Sequence, residues 1–141
     1  MADFTRGSFQ PVLADPRPSD PAGVRTVVLC AGKIYYDLAS RRAAEDRDDI
    51  ALIRVERLYP LPLGEILTEL DRYPDAAEIA WVQEEPANMG AWPTMALWLP
   101  DLLERKIRLV APPASSAPAL GSSAAHAADH KAVIERALSR G

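Results

Sequence analysis

The segment WVQEEPANMGAWP, residues 81–93, contains the side chains whose types and spacing are best suited to chemistry or binding. Residues 78–83 form an apolar run that reads as a short buried strand, and three polar residues would emerge at its carboxyl end: Gln83, Glu84 and Glu85. In open α/β sheets, ligands bind outside the carboxyl ends of the strands. The segment therefore predicts a binding crevice at this edge of a sheet.

A turn and a helix start follow these polar residues. Pro86 and Gly90 bracket the turn, because proline fixes φ and glycine permits positive φ. A helix that begins near Ala91 would direct its N-terminal NH groups towards the same crevice. The alternative interpretation is structural: a buried tryptophan corner with two solvated glutamates accounts for the same residues equally well.

A second strand is predicted to bring two more polar side chains to this edge. Its alternating pattern runs over residues 50–55, so Arg54 and Glu56 lie at its end. Glu84 and Glu85 are adjacent, so their side chains point in different directions, and an acid/base pair would need a partner from elsewhere in the chain. These residues do not form a self-contained active site.

The other residues with nucleophile or metal chemistry favour structural roles. Cys30 lies in the apolar run VVLC, which is typical of a small core residue rather than a nucleophile, and the chain has no second cysteine. His126 and His130 are four residues apart with only Asp129 adjacent, so we interpret them as solvated helix residues and not as a zinc site. The chain also lacks P-loop, GxGxxG, GxSxG, CxxC and HExxH motifs, so catalysis by those routes has no support.

Hydrophobic periodicity predicts the elements that position these residues. Apolar runs predict four strands, at residues 25–31, 50–55, 78–83 and 107–110. Apolar residues at helical spacing predict a helix after each strand, and Pro100 is expected to kink or interrupt the third helix. This alternation indicates a three-layer α/β fold, in which a mostly parallel sheet of four to five strands has helices on both faces.

Composition indicates one domain without nucleic-acid or membrane partners. The 141 residues suit a single domain, predicted at 24–141, and the proline-rich residues 1–23 are expected to form an N-terminal arm or linker. A formal net charge of -4 gives no basic field that would attract nucleic acid. No apolar segment approaches the roughly 18 residues of a membrane span, and the N-terminus lacks a signal peptide pattern. We therefore expect a cytoplasmic protein.

Three motifs in order resemble one known family: CAGKIYYDL at 30–38, IALIRVERLYPLP at 50–62 and WVQEEPANMGAWP at 81–93. Together with FTRGSFQPVLAD at 4–15 and the final serine-rich loop and helix, they make nearly the whole chain similar to the C-terminal domain of the 2-oxoglutarate dehydrogenase E1 component. The actinobacterial, multifunctional form of this enzyme looks most similar. The resemblance implies a transketolase C-terminal-like fold and a place in an oxidoreductase of the tricarboxylic acid cycle.

The resemblance also implies which cofactors and partners the parent enzyme uses. In the family, thiamine diphosphate and Mg²⁺ lie between two larger domains, where a GDG signature with a downstream asparagine holds the metal, and this sequence contains no GDG. The isolated chain is therefore expected to bind no cofactor or metal and to be inactive alone. Its implied partners are the remaining E1 domains or a second E1 protomer. In actinobacterial members the domain also helps to form an allosteric site for acetyl-CoA.

By resemblance, six residues belong to a candidate site for acetyl-CoA or a nucleotide. Lys33 and Arg54 are candidate phosphate partners, and the polar groups of the strand edge and the facing loop are Gln83, Glu84, Ser115 and Ser116. A surface ion pair or a loop cap is the structural alternative for each. Family members usually carry one or two arginines before the serine-rich loop, where this chain has VAPP. Losing one charge-assisted hydrogen bond, about 1.5 to 3 kcal/mol, would weaken such a site about tenfold to a hundredfold.

Three functions stay open on the sequence alone. The chain is either a domain of the enzyme, a stand-alone regulator that binds a small molecule, or an interaction module that docks on an E1 dimer. The tryptophan-rich helix and the N-terminal residues Phe4 and Phe9 indicate an apolar face that is exposed when partner domains are missing. We therefore expect the isolated chain to self-associate as a homo-oligomer.

Overall fold

Strands and helices alternate along the chain as the sequence predicts. The computed structural model describes residues 9–17, 20–116 and 123–139. Within these ranges the strands are β1 (Val12–Leu13), β2 (Thr26–Cys30), β3 (Ile50–Val55), β4 (Glu78–Val82) and β5 (Ile107–Val110). The α-helices are α1 (Ile34–Ala44), α2 (Leu63–Leu70), α3 (Trp92–Leu103) and α4 (Ser123–Leu138). A short 3-10 helix, Pro21–Gly23, precedes β2.

The strands form one sheet in the order β1-β3-β2-β4-β5. The four longer strands are parallel, and β1 pairs antiparallel with β3 at one edge. In the centre of the sheet, Val28 of β2 lies opposite Leu52 of β3 and Ala80 of β4. The predicted α/β class with a mostly parallel sheet is confirmed, and β1 is the strand that the sequence did not predict.

Helices cover both faces of the sheet, which explains why the strands are continuous apolar runs instead of alternating ones. One face is packed against side chains of α2 and α3, namely Ile66, Met95 and Leu99. The other face is packed against side chains of α1 and α4, namely Ile34, Leu38, Val133 and Ile134. We call these the α2/α3 face and the α1/α4 face.

Helix α3 is not interrupted by Pro100. The helix continues through this residue to Leu103 and ends where Glu104 adopts a left-handed conformation with φ of 51°. Proline removes one backbone donor and crowds the preceding turn. Because Pro100 lies in the last turn, only one hydrogen bond near the helix end is lost. The expected interruption is therefore wrong, although a proline in the middle of the helix would have had that effect.

Part of the predicted N-terminal arm is built into the sheet. Val12 and Leu13 form β1, and the buried carboxylate of Asp15 accepts hydrogen bonds from the Arg42 guanidinium of α1 and from the Leu52 NH of β3. Residues 1–8, with Phe4 among them, lie outside the described residues, as do residues 18 and 19. The boundary between residues 23 and 24 stays a prediction.

Candidate functional site

One crevice lies where the winding of the sheet reverses. β2 continues into α1 on one face, and the neighbouring strand β4 continues into α3 on the opposite face. The two connecting loops diverge, and in doubly wound sheets such a point opens the ligand crevice. A pocket of about 220 Å³ lies here, with Ala31, Trp81 and Gln83 on its strand side. The structure thus has a crevice at the edge where the sequence predicts one.

The loop after β3 and the first turn of α3 complete the wall of this pocket. The loop contributes Leu58, Tyr59 and Leu61, and α3 contributes Thr94 and Met95. Tyr59 precedes a cis proline and is 91% exposed. Sequence reasoning missed these loop residues. The signal was present in LYPLP at 58–62, where two prolines keep an aromatic side chain out of regular structure.

Gln83 organises the loop between β4 and α3. Its side chain is buried, and its Oε1 accepts hydrogen bonds from Trp81 Nε1 at 2.8 Å and from the Trp92 backbone NH at 3.1 Å. Its Nε2 lies within 3.0 Å of three backbone carbonyls of the loop, those of Glu85, Pro86 and Met89. The amide is therefore fully engaged within the fold, and it fixes the start of α3 beside the pocket.

Gly90 is required by the close packing of this loop. Its φ is +68°, and a Cβ at this position would lie 3.0 Å from Glu85 Oε2 and 3.2 Å from Gln83 Oε1. The positive φ and the lack of space both favour glycine. The loop in turn holds the exposed Glu85 on the pocket wall beside the N-terminal end of α3.

Glu84 lies on the opposite face of the sheet from Gln83, because consecutive side chains of an extended chain alternate. It contacts His130 of α4, with 3.4 Å between Glu84 Oε1 and His130 Nδ1. The other ring nitrogen, Nε2, lies 2.9 Å from Asp37 Oδ2 of α1. These three side chains connect α1, α4 and the loop after β4. The histidine is therefore part of a polar cluster and is not simply solvated, as the sequence suggested.

Arg54, on the same face of the sheet, is held by aromatic rings and a carboxylate. Its guanidinium carbon lies 4.7 Å from the ring centroid of Tyr35 and 5.2 Å from that of Tyr36. Its NH2 group lies 2.9 Å from Glu56 Oε1. Burial raises the pKa of the Tyr35 hydroxyl, which keeps the ring neutral under the cation. Arg54 would have to exchange these contacts to bind a phosphate.

Asn88 connects the loop after β4 to the serine-rich loop. Its side chain donates from Nδ2 to the Ser115 carbonyl at 2.8 Å and accepts from the Ser115 NH at 3.0 Å. The backbone of Ala87 also donates to the Pro112 carbonyl at 3.0 Å. Ser115 is thus fixed through its backbone, and Ser116 is exposed next to it. Residues 117–122 of this loop lie outside the described residues.

Among the charged candidate residues, Lys33 is the one that is exposed. It is exposed in the turn after β2, and its ammonium group makes no hydrogen bond or ion pair with any described residue. The structure therefore distributes the six candidates over the edge of the sheet instead of gathering them in one pocket. Gln83 lines the pocket, whereas Glu84 and Arg54 lie on the α1/α4 face. Their assignment as ligand residues stays a prediction.

The described residues show no accessible thiol and no cluster of metal ligands. Cys30 is fully buried, and burial raises the pKa of its thiol to about 12, so its predicted role as a core residue is confirmed. No group of three or more His, Cys, Asp or Glu side chains in the described ranges is placed to hold a metal ion. Glu85 is the one carboxylate that lines the pocket. The pocket, at about 220 Å³, is smaller than the roughly 300 to 1,000 Å³ of typical cofactor sites, so its lining does not fit a complete thiamine diphosphate.

The length and hydropathy of the helices also bear on membrane association. None of the described helices is both long and apolar enough to cross a bilayer.

Comparison with known proteins identifies the family. Residues 1–138 match the family described as 2-oxoglutarate dehydrogenase C-terminal. The chain is 44% identical over 145 aligned positions to the multifunctional 2-oxoglutarate metabolism enzyme of Mycolicibacterium vanbaalenii, a match that covers 98% of this chain and 12% of the relative. It is 43% identical to the enzyme of the same name from Mycobacterium sp. strain KMS, covering 98% of this chain and 11% of the relative. The chain thus spans about an eighth of the length of these curated relatives. It belongs to the 2-oxoglutarate dehydrogenase C-terminal family.

Proposed function

We propose that this chain serves as the C-terminal domain of a thiamine-diphosphate-dependent enzyme that metabolises 2-oxoglutarate. In this role it supports assembly with the remaining E1 domains or a second protomer and does not catalyse alone. The observation that carries the proposal is the 44% identity, over 98% of this chain, to the multifunctional 2-oxoglutarate metabolism enzyme of Mycolicibacterium vanbaalenii.

The contacts at the carboxyl edge of the sheet support a structural role in such an enzyme. Gln83 and Asn88 use their side chains to hold two loops together, so the edge presents a fixed shape. The pocket offers one carboxylate, Glu85, beside apolar and aromatic side chains. A surface of this kind, with exposed Leu58 and Tyr59 beside a single carboxylate, suits recognition by a neighbouring domain.

Complementation in trans tests this proposal. A version of the Mycolicibacterium vanbaalenii enzyme without the matching C-terminal region is mixed with this chain, and 2-oxoglutarate turnover is measured. We expect turnover to be restored by the mixture and to be absent with the chain alone. The control is Val28→Asp, which places a carboxylate in the buried centre of the sheet and removes the fold. A complex that forms without turnover would favour a docking module, and the absence of both would refute the proposal.

A second proposal is that the crevice edge binds acetyl-CoA or a nucleotide as a regulatory ligand. The observation that favours it is the exposed Lys33, which has no anionic partner among the described residues and lies at the carboxyl end of β2. The pocket, at about 220 Å³, is smaller than the roughly 300 to 1,000 Å³ of typical ligand sites. It would therefore accommodate one part of such a ligand, while Lys33 pairs with a phosphate outside it.

Calorimetry with acetyl-CoA tests this second proposal. We expect saturable binding to the wild-type chain that Lys33→Ala abolishes. Lys106→Ala is the matched control, because Lys106 is also an exposed lysine but precedes β5 and so lies at the opposite edge of the sheet. The absence of heat at millimolar ligand would contradict the proposal, as would an equal loss in both variants.

A further inference from the structure

The pocket beside β4 combines one carboxylate with apolar and aromatic walls. Leu58, Tyr59, Leu61 and Met95 are among its lining residues, and Glu85 is the one described lining residue that carries a charge. Glu85 is exposed, and its carboxylate oxygens make no hydrogen bond or ion pair with any residue that the structure describes. The acceptor capacity of this carboxylate is therefore available to a ligand.

The hydrogen-bond donors beside the pocket are used within the fold. Trp81 Nε1 and the Trp92 backbone NH both donate to Gln83 Oε1, while the Gln83 amide nitrogen is engaged with loop carbonyls. The start of a helix usually attracts anions through its free NH groups. In α3, however, the NH of Trp92 is taken and the second residue, Pro93, has no NH. With these donors occupied and Glu85 unpaired, the pocket favours a cation over an anion.

The size and walls of the pocket favour a guanidinium on an apolar stem. At about 220 Å³ the pocket has room for one long side chain and not for a complete cofactor. Tyr59 lines it and is 91% exposed, so its ring lies at the opening, where a cation can stack on it. A guanidinium is planar, pairs with both oxygens of a carboxylate and stacks on aromatic rings, whereas an ammonium is a compact point charge. The methylene stem of an arginine would contact the apolar wall.

We propose that this pocket receives one arginine side chain of a neighbouring domain of the parent enzyme, with the guanidinium paired to Glu85 and stacked on Tyr59. This inference rests on the proposed function, since it names the chemical group through which another E1 domain contacts this edge of the sheet. Arginine is enriched in protein interfaces and among the residues that contribute most to binding. Because the pocket is small, this arginine and a part of the regulatory ligand proposed above would exclude each other there.

An NMR titration of the complete 141-residue chain tests the chemistry of the pocket. The probe is N-acetyl-arginine amide, and the reporters are the backbone NH signals of Tyr59, Gly90 and Ala91, which line the pocket. We expect saturable shift changes with a dissociation constant on the order of 1 to 10 mM, because a single side chain makes few contacts. N-acetyl-citrulline amide, which has nearly the same shape without the charge, should cause no such change. N-acetyl-lysine amide should bind several times more weakly than the arginine probe.

Two variants assign the binding to Glu85. Glu85→Gln removes the charge and keeps the shape, so it should raise the dissociation constant of the arginine probe about tenfold. Glu104→Gln is the matched control, because Glu104 is also an exposed glutamate but lies at the other end of α3, and it should bind the probe like the wild type. The same spectra show whether each variant is folded. Equal binding of the arginine and citrulline probes, or equal binding by Glu85→Gln and the wild type, would overturn the proposal, and equally tight binding of the lysine probe would overturn the choice of arginine.

Complementation of the truncated relative tests the contact with the neighbouring domain. The chain concentration that restores half of the maximal 2-oxoglutarate turnover should rise about threefold to tenfold for Glu85→Gln and stay unchanged for Glu104→Gln. If Glu85→Gln restores turnover at the same concentration as the wild type, the arginine contact is overturned and the proposed function stays intact. If the wild type restores no turnover, the proposed function and the partner domain are both refuted, while the titration still decides whether the pocket binds a guanidinium. The two failures are therefore distinguishable.

Discussion

The buried ion pair between Asp15 and Arg42 makes the stability of the domain depend on its N-terminal arm. The side chains of Arg42 and Asp15 are 4% and 0% exposed. The Asp15 carboxylate accepts two hydrogen bonds from the guanidinium of Arg42 and one from the Leu52 NH at 2.7 Å. Arg42 also donates to the Ile50 carbonyl at 3.0 Å. One carboxylate thus joins the arm to α1 and to β3.

Arg42→Met removes the positive charge, keeps much of the side-chain volume and leaves the Asp15 carboxylate buried without its partner. Removing one member of a buried ion pair costs about 3 to 5 kcal/mol, which is a large part of the roughly 5 to 15 kcal/mol that stabilises a typical domain. With a urea m-value of about 2 kcal/mol/M, the unfolding midpoint should fall by about 2 M.

Urea unfolding, followed by tryptophan fluorescence, to which the buried Trp81 contributes, measures this effect. Arg41→Met is the matched control, because Arg41 is the adjacent residue but pairs with Glu45 at the surface, and its midpoint should not change. Asp15→Leu should also be strongly destabilising, while the double variant with Arg42→Met should lose less than the sum of the two, since neither charge then remains buried alone. If Arg42→Met shifts the midpoint no more than Arg41→Met does, the reasoning is refuted.

Three further predictions concern the loop, the core thiol and the arm. Gly90→Ala should lower the free energy of unfolding by about 1 to 3 kcal/mol, because Gly90 has a positive φ and an added Cβ would lie close to Glu85. Gly64→Ala, in open space on α2, should instead raise the free energy of unfolding by about 0.5 to 1 kcal/mol. Thermal unfolding that ranks the two variants in the opposite order would contradict this prediction. Burial raises the pKa of Cys30 from 9.0 to about 12, so the protonated thiol contributes fully to stability below pH 9, and this contribution is lost as the pH rises towards 12, at about 1.4 kcal/mol per pH unit. Between pH 8 and pH 10, the free energy of unfolding measured in urea should therefore fall more for the wild type than for Cys30→Ala. Equal losses in the two proteins would count against this prediction. Deleting residues 1–23 removes β1 and exposes the edge of β3. The shortened chain should therefore unfold at a lower urea concentration and form aggregates that light scattering detects. A shortened chain that behaves like the full chain would instead support an independent domain at 24–141.

The four parallel strands could be predicted from sequence because each is an apolar run with turn residues after it. β2 and β4, for example, are buried on both faces, so their composition alone identifies them. β1 could not be found in this way. It has two residues in a proline-rich stretch, and it is ordered by pairing with β3 and by the Asp15–Arg42 ion pair, which joins residues 27 positions apart. Tertiary contacts of this kind leave no periodic signal.

In the candidate site, the residue types predict which edge of the sheet is polar, but they do not predict the role of each residue there. Gln83, Glu84 and Arg54 lie at the carboxyl edge as predicted, yet each is defined by a partner that the sequence does not place beside it. Gln83 is engaged with Trp81 and the loop carbonyls, Glu84 with His130, which lies 46 residues later in α4, and Arg54 with two tyrosine rings. The alternation of residues 83 and 84 already implied opposite faces. A polar residue at a strand end is therefore a good candidate for ligand binding when some of its hydrogen-bond donors or acceptors stay unpaired in the folded protein. Of the six candidates, Lys33 meets that condition most clearly.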